Sequence, residues 1–210
     1  MSFSIDNKQL IEALVEKSWF IPDQFLPIEI TQELLKMLRQ LYADENFKKA
    51  GIGRGLEQKI APQIRKSEIF WINDWTTSPA LIQYSNFLSE LMIYLNQNLF
   101  LSLKRYESQF AHYSPGGFYK KHIDQHKKTQ HRKISVILYL NQVKAGGELI
   151  LYKKGNRNTV EAKIIPEPGK LVFLVSKDIF HEVLSCESER CSLTTWMRDD
   201  ELLPFVHQSS

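Results

Sequence analysis

No stretch of this 210-residue chain approaches the ~20 uninterrupted apolar residues that a membrane-spanning helix needs. The first residues, Met1 to Asp6, lack the basic start and apolar run of a secretory signal. Cysteine is scarce: Cys186 and Cys191 alone, too few for a disulfide framework. They flank an expected turn between two strands and lie close enough in sequence to pair. Without an export signal they are expected reduced, and the protein cytoplasmic. Charge of one sign is also lacking. Twenty-seven Lys and Arg against 24 Asp and Glu leave +3, with no dense basic block, so no nucleic-acid footprint is present. The short lysine runs at 120–121, 127–128 and 153–154 read as solvated. Internal repeats and low-complexity tracts are absent, and nothing sets an oligomeric state. Residues 1–210 are expected to form a single domain with a sizeable core.

The first hundred residues show helical periodicity. Asp6 with Gln9 resembles a capping pair ahead of Leu10, Ile11, Leu14 and Val15. Trp19-Phe20-Ile21 reads as a short strand stopped by Pro22. A second helix is expected from near Pro27, with Ile30, Leu34, Leu38 and Leu41 on one face. Ser78-Pro79 opens a third, carrying Ile82, Leu88, Leu91, Leu95 and Leu99. These stripes are packing faces that would buttress a sheet, so 1–104 reads as a helical buttress with the first strands. From Lys104 the period becomes two. Strands are expected near 105–113, 118–123, 133–140, 147–153, 158–164, 170–175, 180–184 and 190–197. Closely spaced strands with Gly, Pro and Asn turns indicate a sandwich or barrel. Residues 43–66, rich in charge and glycine, read as a long loop without structure, and such loops are commonly functional or disordered.

His122-Ile-Asp124, followed by His181 and Arg190, carries the chemistry. Two imidazoles and a carboxylate cover one face of an octahedral metal and leave the other open, the non-haem Fe(II) oxygenase arrangement. On a strand, alternate residues such as His122 and Asp124 share a face. His181 must then come from a different strand alongside. Arg190, in a hairpin turning near 186–189 and one strand over from His181, would supply a cationic fork for a dicarboxylic keto acid. Thr194 and Trp196 share its face. His126, His131 and Arg132 follow the metal carboxylate directly but fall outside the strand alternation, so they read as rim residues.

The surrounding motifs are more specific. Upstream stand Tyr113-Ser-Pro-Gly-Gly117-Phe-Tyr119, then His122 and Asp124. Downstream come Ile137-Leu-Tyr139-Leu-Asn141, Gly146-Gly147-Glu-Leu149, Pro168-Gly169, His181-Glu-Val183 and Arg190 through Trp196. Weaker matches are Gly53-Arg-Gly55 and Ile64-Arg65 through Trp71-Ile72. Together these resemble the catalytic domain of the Fe(II)/2-oxoglutarate-dependent prolyl 4-hydroxylases, in the branch of the hypoxia-sensing prolyl hydroxylases and their bacterial relatives. The resemblance implies an α+β, mainly β fold: a double-stranded β-helix, or cupin-like jelly-roll barrel. The oxygenase core would span 105–198 and a C-terminal tail 199–210.

Further implications follow from the same resemblance. His122, Asp124 and His181 would hold Fe(II). Arg190, Tyr139, Tyr113, Thr194 and Leu149 would surround 2-oxoglutarate, the segment from Tyr113 to His122 being one residue shorter than usual. Dioxygen would be the other co-substrate, with ascorbate supportive. The partner would be a protein carrying the target proline, a translation component such as elongation factor Tu being one candidate. Segment 43–66 would be a mobile loop closing over it, and Arg65, Arg132 and Trp196 would form the substrate rim. Lys66-Ser67 replaces the Gly-Asp of the hypoxia-sensing members, so a loop-anchoring ion pair is expected to be absent.

Three other readings compete. A free amino acid or other small molecule in place of the protein would leave the motifs unchanged. An AlkB-like nucleic-acid demethylase would share the metal triad, but that group typically carries Arg-x5-Arg, whereas seven residues separate Arg190 from Arg198. A non-enzymatic cupin-like sensor is disfavoured because the triad, Arg190 and Tyr139 are all present.

Overall fold

The computed structural model describes residues 5–51, 61–125 and 129–201. Its three helices start where local chemistry puts them. Asp6 accepts a hydrogen bond from the Gln9 amide at 3.0 Å and opens α1 (Asn7–Glu16). This satisfies one of the amides that a helix N-terminus leaves without a partner. Pro27 precedes α2 (Ile28–Ala43). Ser78 Oγ accepts from the Leu81 amide at 3.2 Å, with proline in the first turn of α3 (Pro79–Leu99). Leu10, Leu14, Leu34, Leu38, Leu88, Leu91 and Leu95 are buried as expected. Val15 and Ile82 are not: at 61% and 42% exposed they fall outside narrower buried stripes, because each helix meets the rest of the protein along one side only.

The strands form two antiparallel sheets. The larger runs β1 (Trp19–Phe20), β10 (Leu171–Val175), β7 (Arg132–Tyr139), β12 (Arg190–Arg198), β5 (Arg105–Tyr113), β4 (Glu68–Ile72) and β2 (Lys48–Lys49). The smaller runs β3 (Arg65–Lys66), β6 (Phe118–His122), β11 (His181–Val183), β8 (Leu149–Lys153) and β9 (Asn156–Ile164). This is the expected double-stranded β-helix. The larger sheet is apolar on both faces and so serves two cores. Phe110, Val136, Leu138, Phe173 and Leu193 meet the helices on one side. Ala111, Ile137, Tyr139 and Val172 meet Leu149, Leu151 and Val183 of the smaller sheet on the other. Strand alternation makes this division: in β12, Cys191, Leu193 and Met197 join the helix-facing core, while Arg190, Ser192, Thr194 and Trp196 line a cavity between the sheets.

One sequence expectation gains a reason and two change. Cys186 lies in the inter-sheet core and Cys191 in the helix-facing core, so the two thiols are free on opposite sides of the larger sheet. Segment 43–66 is not structureless throughout: β2 pairs with β4 and β3 with β6, while 52–60, including Gly53-Arg-Gly55, lie outside the described residues. Arg190 is not one strand over from His181, because β11 belongs to the smaller sheet and β12 to the larger. The arginine therefore reaches the cavity from the opposite wall.

Candidate active site

His181 pairs directly opposite His122 across β11 and β6, and Asp124 lies two residues past His122, just beyond the strand end. The carboxylate reaches the site from a bend rather than from strand alternation. One donor atom from each residue falls within 4.8 Å of the others. His122 Nε2 is 3.7 Å from Asp124 Oδ1, and His181 Nε2 is 3.7 Å from Oδ2. The far nitrogens are engaged: His122 Nδ1 lies 2.8 Å from the Lys120 carbonyl, and His181 Nδ1 lies 3.1 Å from that of Ile179. A carbonyl can only accept, so both Nδ1 atoms carry a proton, and both Nε2 atoms are left towards the cavity as donors for a metal. Burial, reinforced by His181, holds the His122 imidazole well below its ordinary pKa and so neutral. Burial opposes ionisation of Asp124, but His181, His122, Arg132 and the Ser135 hydroxyl outweigh it and hold the carboxyl low. Two imidazoles and one carboxylate suit a divalent transition metal such as Fe(II).

Ser135 went unnoticed in the sequence. Its hydroxyl donates to Asp124 Oδ2 at 2.7 Å and lies 2.8 Å from Ser176 Oγ, both serines being buried. Thr129 Oγ1 donates to the Asp124 carbonyl at 2.7 Å. The carboxylate is therefore held at side chain and backbone alike. A hydroxyl amid the apolar run Ile134–Leu138, in phase with Ile137 and Tyr139, was the available signal. Tyr119 was missed for a different reason. Two residues of β6, Lys120 and Lys121, lie opposite one of β11, Glu182, between the pairs His122–His181 and Tyr119–Val183, which is a bulge. It turns Tyr119 and His122 to one face and leaves Lys120 and Lys121 exposed. Tyr119 stacks on His122 with centroids 3.6 Å apart, and the Arg65 guanidinium lies 4.6 Å above Tyr119. Arg65 Nε donates to Ser67 Oγ at 2.7 Å, a hydrogen bond where the motif comparison anticipates a lost ion pair.

Arg190 is buried in the opposite wall. Its Nε donates to the Gly147 carbonyl at 3.0 Å, Nη1 lies 3.3 Å from Ser192 Oγ, and the guanidinium sits 4.9 Å from the Tyr113 ring and 5.1 Å from that of Tyr139. Gly147 has φ +69°, and a Cβ there would come within 3.2 Å of Arg190 Cδ, so glycine is needed for this approach. Among the described residues no carboxylate pairs with Arg190, and the buried Tyr139 hydroxyl has no hydrogen-bond partner. A buried guanidinium with an idle phenol beside it is a charge awaiting an anion. A carboxylate would satisfy both. Tyr113, Leu149 and Thr194 line the same cavity, as do Gln109, Ile137, Val183 and Ser192. Tyr139 stands behind Arg190 rather than among the lining residues.

The model of the 2OG-Fe(II) oxygenase superfamily matches residues 108–198. The crystal structure of a Pseudomonas putida prolyl-4-hydroxylase is 31% identical, with a TM-score of 0.81 over 93% of this chain and 100% of that one. The chain belongs to the 2OG-Fe(II) oxygenase superfamily. A prolyl hydroxylase from Trichoplax adhaerens, solved with a hypoxia-inducible-factor peptide fragment, is 25% identical with a TM-score of 0.80, covering 92% and 89% of the two chains. The viral collagen prolyl hydroxylase of Paramecium bursaria Chlorella virus-1, solved with 2-oxoglutarate, shares the fold at 22% identity and TM-score 0.60, over 89% and 98%. No curated protein matches the chain.

Superfamily membership implies Fe(II), 2-oxoglutarate and dioxygen, matching what the metal triad and Arg190 accommodate. In this oxygenase Arg132 lies 3.7 Å over the Trp196 ring and pairs with Glu107 at 2.7 Å. Trp196 lines the cavity and Arg132 backs it. His131 bonds Asp199 at 2.8 Å, away from the metal ligands, while His126 lies outside the described residues. Arg198 shares the face of Arg190 but is neutralised by Glu107 at 2.9 Å and Asp200 at 2.7 Å. It offers no free cation to a phosphate backbone. No described helix is long and apolar enough to cross a membrane.

Proposed function

We propose that this oxygenase hydroxylates a prolyl residue in a protein substrate, converting 2-oxoglutarate and dioxygen to succinate and carbon dioxide. The carrying observation is the meeting of two unsatisfied sets across one cavity: the inward-facing His122–Asp124–His181 donors and the anion-less Arg190. Prolyl hydroxylases of the same architecture point to proline as the reacting residue. Arg190 and the Tyr139 hydroxyl hold the far carboxylate of 2-oxoglutarate. Tyr113 and Thr194 flank it with polar groups, and Leu149 walls it with an apolar one. Fe(II), when bound, supplies the activation of dioxygen that a C–H bond requires. The protein supplies position: Ser135 aims the carboxylate ligand, the backbone aims both imidazoles, and buried walls exclude water. Arg65 and Trp196 line the cavity, with Arg132 behind Trp196, and would form the rim that the substrate chain meets.

The test is incubation of the protein, with Fe(II), 2-oxoglutarate and ascorbate, in a cytoplasmic extract from cells lacking it. Peptide mass spectrometry should find one or a few proteins gaining one oxygen on proline, elongation factor Tu being the candidate to inspect first. Oxygen gained on free amino acids alone, or loss of methyl groups from nucleobases alone, would overturn this reading.

A further inference from the structure

A second cavity opens beside the first, lined by Asn46, Lys48, Lys49, Ile69, Trp71 and Asn73. The two meet at an aromatic pair, Trp71 in the wall of the groove and Trp196 in the wall of the active-site cavity, ring centroids 5.9 Å apart. Trp71 is 37% exposed, large for an indole against a structured sheet. Lys48 is register-paired with Ile69, so its side chain stands on the face that Ile69 and Trp71 share.

Cations outnumber carboxylates along this flank. Lys48, Lys49, Lys66 and Lys120 are exposed on β2, β3 and β6, and none has a carboxylate partner among the described residues. Among the described residues Arg65, on the active-site wall, donates only to the Ser67 hydroxyl. The nearby carboxylate, Glu68, is the register partner of Lys49, on the face away from Trp71, and accepts from the Tyr42 hydroxyl at 2.8 Å. The other flank is different: Glu107 neutralises Arg132 and Arg198, and Asp199 neutralises Lys133. Cations are thus paired on one side of the mouth and unpaired on the side where the groove runs. Lysines on an edge strand also discourage edge pairing, but that role would not require an exposed tryptophan joining the groove to the catalytic cavity.

We infer that the groove beside Trp71 receives an acidic, extended stretch of the substrate polypeptide flanking the target proline. Lys48, on the face of Trp71, meets its carboxylates, Lys49 adds positive charge at the groove's edge, and the Trp71–Trp196 pair passes the chain to the active site. This rests on the prolyl-protein reading and adds the chemistry of the residues around the proline. Complementary charge of this kind raises encounter rate and selects among partners.

The experiment uses peptides of Gly, Ala and Ser with one central proline and a glutamate pair walked along either side. A glutamate pair at one offset, on one side only, should raise kcat/KM by roughly three- to tenfold, the scale of two exposed ion pairs. The gain should fade as salt rises. The double variant Lys48→Glu, Lys49→Glu should lose that gain and acquire one for lysine-bearing peptides. Its thermal midpoint and 2-oxoglutarate binding report whether it is folded. Hydroxylation indifferent to the glutamate position, or unaltered by the charge swap, overturns the groove while the prolyl reading stands. If none of the peptides and no protein is hydroxylated on proline, the prolyl reading falls and the groove proposal with it.

Discussion

His122 and His181 face each other as register partners, their ring centroids 4.2 Å apart and inclined by 59°. Each ring is fixed by a backbone carbonyl behind it, so neither can be replaced by a neighbour. His122→Ala, Asp124→Ala and His181→Ala are each expected to abolish succinate formation and most Fe(II) binding. His131→Ala should keep both, since that ring is committed to Asp199. Iron stoichiometry and succinate release check this; an active His181→Ala protein removes the site.

Arg190→Ala should retain iron and lose 2-oxoglutarate. Removing one member of a buried charge pair costs about 2–5 kcal/mol, tens- to thousands-fold in affinity. Tyr139→Phe removes one hydrogen bond to a charged group, worth about 1.5–3 kcal/mol. Titration with 2-oxoglutarate measures both, and normal binding by Arg190→Ala would displace the co-substrate from this wall.

Ser135 positions the carboxylate ligand, and its loss should be felt at the metal rather than in the fold. Mutation of such an outer partner typically weakens metal binding or activity by about 10- to 100-fold. Ser135→Ala is expected in that range, and Ser176→Ala, one hydrogen bond further out, below it. Calorimetric titration with Mn(II) as a redox-inert stand-in reads the effect without turnover.

The Glu107–Arg198–Asp200 cluster should govern acid stability. Arg198 and Arg105 hold the Asp200 carboxyl well below the usual range. A depressed carboxyl stabilises the fold above its unfolded pKa and loses that contribution as pH falls towards the folded value. The thermal midpoint should therefore drop below about pH 4, near the ordinary aspartate value, and Asp200→Asn should flatten that part of the profile. Glu107→Ala leaves the half-buried Arg132 without its carboxylate and the buried Arg198 with Asp200 alone, and should destabilise by about 1.5–3 kcal/mol. A near-neutral effect in denaturant unfolding would show that water replaces the carboxylate.

The strands from Arg105 to Arg198 were legible because alternation and turn residues are local properties, and each was expected within a few residues of its observed span. The helix starts at Asp6 and Ser78 were legible for the same reason. So was the metal set, since His-x-Asp and a distal histidine are a chemical requirement written in residue types. What alternation does not encode is which sheet a strand joins. That β12 leaves the sheet of β11 depends on pairing with β5 and β7, far away in the chain, and this alone sets Arg190 across the cavity from His181. The bulge that brings Tyr119 under His122 breaks the very period by which sequence is read. Ser135 needed a partner 11 residues earlier, and the division of Cys186 from Cys191 needed two cores on opposite faces of one sheet. Sequence determined the ligands and the period of each strand. Tertiary structure decided which wall each ligand faces, because non-local backbone pairing sets register and sheet membership.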